Sequence, residues 1–150
     1  MYENLIYSLD MLIKKQEVLN ENQFVEVKTP RFLSAKRQKT IKNSIKFEGI
    51  GLHTGNKVSM VLSPSTSDSG IIFRKHVEKK VIEIKASYKN VKSTKLCTLL
   101  SDPQGNSVST VEHILSALYA FEIDNIYIDI DSNEIPVYDG SSLEFVKKIK

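Results

Sequence analysis

The chain has 150 residues, 41% hydrophobic and 26% charged, which is enough for one domain with its own core. Its formal charge of +3 comes from lysines interleaved with acidic residues; there is no arginine-rich arm or aromatic ladder, which argues against a nucleic-acid binder. One cysteine, Cys97, excludes an internal disulfide, and no apolar run reaches the roughly 18–20 residues of a membrane span.

The opening residues MYENLIYSLD hold two acidic groups and no basic start, unlike a secretory signal. A soluble cytoplasmic protein is therefore expected. Leu5, Leu9, Leu12 and Leu19 fall on one helical face, close to a heptad seam that Gln16 interrupts. Thr29-Pro30 stops the pattern. The spacing predicts an amphipathic helix over 3–24 and a basic linker over 28–38, so that residues 1–37 precede the domain proper. A helix of this kind needs a partner to pack on, either a second copy or another domain.

From about residue 38 the period changes to two. TIKNSIKFE at 40–48 and KVSMVL at 57–62 alternate, with GIGLHTG between them as a turn. GIIFRK at 70–75, VIEIKA at 81–86 and LCTLL at 96–100 read as further short strands. PSTSDSG at 64–70 is a loop. Helical spacing returns at 109–121, where Val111, Ile114, Leu115, Leu118 and Phe121 share a face. NIYIDI at 125–130 is a strand, EIPVYDG a turn, and SSLEFVKKIK the start of a helix. The expected class is α+β: a sheet of about five mostly antiparallel strands packed on two helices, preceded by the N-terminal helix.

Ser109-Thr110-Val111-Glu112-His113 admits two readings. Ser109 and Glu112 have the spacing of a capping box, which leaves His113 an ordinary first-turn residue. Alternatively, Glu112 and His113 point into a cleft at the helix end, one as general base and the other as a zinc ligand. The chain has three histidines, His53, His76 and His113, and none of them makes HExxH or His-x-x-x-Asp. Spacing alone therefore establishes no metal site. His53 sits in a glycine-rich segment that reads as a tight turn or as a loop placing the ring beside a ligand. His76 reads as surface. Cys97 reads as a small buried residue of an apolar strand and Asp139 as a turn or cap residue. Ser141 and Glu144 form a second possible capping box.

GIGLHTG at 49–55, KLCTLL at 95–100, STVEHILSAL at 109–118, IDNIYIDI at 123–130 and EIPVYDGSS at 134–142 occur in this order. Together they resemble UDP-3-O-acyl-N-acetylglucosamine deacetylase, a zinc hydrolase of lipid A synthesis, over residues 38–150. The resemblance implies two domains, each a sheet on two helices, with the active site between them. It implies His113 as a Zn²⁺ ligand, Glu112 as general base, Leu96 and Cys97 lining the site, and His53 and Asp139 near it. The remaining ligands, a His and an Asp of a His-x-x-x-Asp motif, belong to a second domain that residues 38–150 do not contain. The chain is thus expected to need that domain as partner, alongside the substrate UDP-3-O-acyl-N-acetylglucosamine. The segment YENLIYSLDMLIKKQEVLNEN also resembles the helix leaving a response-regulator receiver domain, which implies a fused signalling domain. The rival reading is a non-catalytic regulatory or interaction module that dimerises through its N-terminal helix.

Overall fold

Alternation in the sequence becomes a five-stranded sheet in the computed structural model, which describes residues 37–78 and 80–150. The expected helix over 3–24 and the linker up to residue 36 lie outside the described residues. The strands are β1 (Ile45–Ile50), β2 (Lys57–Pro64), β3 (Ile71–Val77), β4 (Lys80–Lys85) and β8 (Ile126–Ile130), in the order β1-β2-β8-β3-β4. All pairings are antiparallel except β3 with β8, which is parallel. A second, three-stranded antiparallel sheet joins β5 (Val91–Ser93), β6 (Leu99–Ser101) and β7 (Ser107–Val108). Two helices complete the unit, α1 (Glu112–Ala120) and α2 (Leu143–Ile149). The architecture is α+β as expected, with two short strands, β5 and β7, too brief for the period-two pattern to reveal.

Side chains on one face of the large sheet make the core. Phe47, Met60, Leu62, Phe73, Ile84 and Ile128 are fully buried and cluster with Ile114 and Leu118 of α1 and Phe145 of α2. Burial alternates along β2 and β8, as a sheet covered on one side requires. Phe145 sits at the meeting point, with ring centroids 5.4 Å from Phe47 and 5.2 Å from Tyr138. The opposite face is polar. There Arg74 forks onto Asp129 at 2.9 and 2.6 Å, stacks 4.0 Å above Tyr127, and shares Asp129 with His76 at 2.7 Å. His76 is therefore exposed, as read from sequence, but held in a cluster on Asp129 of the 123–130 motif.

Three local expectations are corrected. Residues 96–98 are not strand: Leu96 has φ +67° and is 84% exposed, so β6 begins only at Leu99. Cys97 accordingly lies half-buried in a loop. Neither capping box forms. The Ser109 hydroxyl donates to the Asn133 carbonyl at 3.1 Å, and α1 starts at Val111 without a side-chain cap. Glu144 pairs instead with Lys147 at 2.6 Å, while the Ser141 hydroxyl accepts from the Leu143 N–H at 3.1 Å.

Truncating the aromatic ring at the sheet–helix junction tests this packing. Phe145→Ala is expected to lower unfolding stability by about 3–5 kcal/mol, read from urea denaturation. A loss below about 1 kcal/mol would contradict the burial of that ring.

Candidate active site

The turn between β1 and β2 explains its own glycines. The Gly51 N–H donates to the Asn56 carbonyl at 3.0 Å, and the Gly55 N–H donates to the Gly51 carbonyl at 3.0 Å. Gly55 has φ +66°, a conformation that disfavours other residues. Gly51 has a different reason. A Cβ there would lie 2.5 Å from the Glu134 Oε2 and 2.5 Å from the Thr54 Oγ1. The absent side chain is the space into which a carboxylate fits.

That carboxylate is the best-satisfied polar group of the site. Glu134 is wholly buried. Its Oε1 accepts from the His53 N–H at 3.0 Å and from the Thr110 hydroxyl at 3.0 Å, and lies 2.8 Å from the His53 Nδ1. Its Oε2 accepts from the Thr54 N–H at 2.9 Å. Burial pushes the Glu134 pKa upward, but the donors from His53 and Thr54 outweigh it and hold the group at about 2, against an ordinary 4.5. Thr110 reaches this position with φ +58° at 1% exposure. A β-branched residue in that conformation is strained, and the surrounding hydrogen bonds hold it there.

The sequence motif around Glu134 assigns it no role. The one signal for it was a lone acidic residue before Ile-Pro-Val, a context that does not distinguish a buried carboxylate from a surface one. Around it the chain is laced. Ser109 and Glu134 form an isolated parallel bridge and Gly51 and Pro136 an antiparallel one. The Ile135 N–H donates to the Ser109 carbonyl at 3.1 Å, and the Val137 N–H to the Ile50 carbonyl at 3.0 Å. The segments 49–55, 109–113 and 134–137 therefore converge at the amino end of α1.

Glu112 and His113 open that helix, and both are half-buried. The Thr98 N–H donates to the Glu112 Oε2 at 3.1 Å, tying the 95–100 loop to the helix start. The Ser142 hydroxyl donates to the His113 carbonyl at 2.9 Å, bringing in the 139–142 segment. Asp139 itself is exposed. Its Oδ1 accepts from the Ser141 hydroxyl at 2.8 Å and the Ser141 N–H at 3.0 Å, and these bonds lower its pKa. It has the turn role its sequence suggests. Leu96 projects into solvent, beside Cys97 and the Thr98 anchor.

Chemically, the pair offers one half-buried carboxylate held through a single donor and one half-buried imidazole. Among the described residues no three His, Cys, Asp or Glu side chains gather to hold a metal ion. A catalytic zinc takes three protein ligands. The donor set on this unit therefore fits one ligand of such a site and does not complete it.

Glu134 has a measurable consequence. Its folded-state pKa lies below its ordinary value, so its stabilisation is complete above pH 4.5 and is lost as the pH falls toward about 2. The shift corresponds to on the order of 3 kcal/mol. Urea unfolding followed from about pH 6 to about pH 2 should show this loss, and Glu134→Gln should flatten it while lowering stability at neutral pH. Equal pH slopes for both proteins would contradict the assignment.

Comparison with known proteins gives the same motifs a family. The family model described as UDP-3-O-acyl N-acetylglycosamine deacetylase, LpxC, matches residues 38–150. A UDP-3-O-acyl-N-acetylglucosamine deacetylase of Colwellia psychrerythraea is 48% identical over 114 residues, 76% of this chain and 37% of the relative. The protein of the same name from Francisella tularensis subsp. tularensis is 44% identical over 116 residues, 76% of this chain and 41% of the relative. That of Hamiltonella defensa is 43% identical over 110 residues, 73% of this chain and 36% of the relative. The matched part of the chain thus spans about two fifths of these relatives, and within that span this chain belongs to the LpxC family of UDP-3-O-acyl N-acetylglycosamine deacetylases.

Proposed function

We propose that residues 38–150 are the amino-terminal half of a zinc-dependent hydrolase that removes the N-acetyl group from UDP-3-O-acyl-N-acetylglucosamine. The observation that carries this reading is the Glu112–His113 pair at the start of α1, around which three other motif segments converge. Family membership supplies the reaction class.

In this reading His113 offers an imidazole nitrogen to the metal, and further ligands come from another polypeptide segment. Zinc, when bound, would polarise the acetyl carbonyl and acidify water. Glu112 is the proton acceptor. Its Oε2 is held by the Thr98 N–H, which leaves Oε1 to take a proton from the attacking water. The Ser142 hydroxyl on the His113 carbonyl fixes the first turn and so the direction of the ring. Half-burial of both side chains limits competing water. Leu96 and Cys97, on the loop that carries Thr98, line the approach. His53 and Asp139 stand at its edges.

No helix of the described residues is long and apolar enough to cross a membrane. We place the reaction in the cytoplasm, where a chain with one cysteine and no disulfide is at home.

The experiment is a deacetylation assay with added zinc on three samples. They are this chain alone, this chain with the carboxy-terminal domain of a relative, and that mixture carrying Glu112→Ala. Turnover is expected only in the unmodified mixture, with Glu112→Ala reducing kcat by roughly 10²–10⁴-fold. Turnover that survives Glu112→Ala would remove Glu112 from the mechanism. A folded, associated mixture with no turnover would favour the interaction-module reading.

A further inference from the structure

His53 stands beside a carboxylate that can only accept. Three groups donate to Glu134, the His53 N–H, the Thr54 N–H and the Thr110 hydroxyl, and the His53 ring nitrogen lies against it. These bonds outweigh burial and hold Glu134 as the anion, which can only accept. The ring nitrogen at 2.8 Å from Oε1 must therefore carry its hydrogen. The other ring nitrogen, Nε2, makes no hydrogen bond to any described residue, and the ring is 37% exposed.

We infer that Glu134 is a positioning residue that fixes neutral His53 as its Nδ1–H tautomer and presents the Nε2 lone pair outward as a hydrogen-bond acceptor. The acceptor suits a neutral donor of the substrate, a sugar hydroxyl or an amide N–H. Gly51 is part of the device, because any side chain there would displace Oε2. So is Thr110, whose strained backbone turns its hydroxyl onto the same oxygen that holds the ring. The tautomer itself does not depend on the catalytic reading above, but the identity of the donor rests on it.

Three measurements test the inference. The first is a long-range ¹H–¹⁵N spectrum of the histidine side chains of the full chain. It is recorded at about pH 9, above the ordinary imidazole pKa of roughly 6.5, with His53 assigned by its loss in His53→Phe. The expected result is a protonated Nδ1 and a lone-pair Nε2 for His53. A protonated Nε2, or shifts averaged between the two tautomers, would overturn the inference. The second is the same spectrum of Glu134→Leu, in which the His53 shifts should move toward the average; an unchanged Nδ1–H pattern would remove Glu134 from the role. Should that variant not fold, the wild-type spectrum still decides. The third is kinetic, in the reconstituted mixture. His53→Phe should raise KM by roughly 3–10-fold, the worth of one hydrogen bond, with kcat little changed. An equal fall in kcat and kcat/KM would overturn the substrate-acceptor assignment while leaving the tautomer intact. A mixture without turnover would count against the proposed function and the donor's identity, not against the tautomer.

Discussion

A charged carboxylate removed from water must find its solvation inside the protein, and Glu134 finds it in donors from two other stretches of chain. Burying an isolated carboxylate is prohibitively unfavourable, so the donors have to arrive together and at the right distances. The 51–54 turn supplies two backbone N–H groups and a ring; Thr110, two residues ahead of α1, supplies a hydroxyl. Each condition constrains a different part of the fold. Gly51 must lack a side chain, Thr110 must accept a left-handed backbone, and the 134–137 strand-like segment must run between the β1–β2 turn and Ser109. The amino end of α1 is consequently fixed by contacts between segments far apart in the chain.

The two glutamates of the site are sorted by this environment. Glu134 is fully satisfied, with its pKa held at about 2, and has no role as a proton acceptor near neutrality. Glu112 meets a single backbone donor, on Oε2, and is half-buried rather than sealed. A carboxylate with one oxygen anchored and the other unencumbered is oriented, and on the proposed reading that orientation serves proton abstraction. Divergent environments on two nearby carboxylates are a general means of assigning distinct roles to them. Here one organises the site, and on the proposed reading the other reacts.

What the sequence made legible follows from which signals are local. Alternation exposed the strands of the large sheet because one face packs on helices, so Phe47, Met60, Leu62, Phe73 and Ile128 had to recur at period two. The helix spacing of Ile114 and Leu118 was readable for the same reason. Residues 96–98 misled because apolar letters imply strand unless the backbone forbids it, and a left-handed Leu96 has no mark in the sequence. The Ser109–Glu112 capping box failed because tertiary partners outbid local ones: Asn133 took the hydroxyl and Thr98 the carboxylate. Glu134 stayed hidden for the deeper reason that its donors lie 80 and 81 residues away at Thr54 and His53, and 24 away at Thr110. His53, Glu112 and His113 were nominated from motif likeness; the bonds that organise them were beyond any local pattern.

Every one of those bonds lies within residues 37–150, and this bears on how a divided site behaves. Glu112 is aimed by Thr98, the first turn of α1 is pinned by Ser142, and His53 is held by Glu134, without help from ligands elsewhere. Preorganised groups lose little entropy when a partner arrives, so docking completes a constellation instead of creating one. On the proposed reading the metal draws ligands from two surfaces, which makes its affinity and the docking affinity a single coupled quantity. Whatever factor docking adds to metal binding, the metal adds to docking. On that reading a lone imidazole holds metal weakly on this unit, and the site gains strength only on assembly.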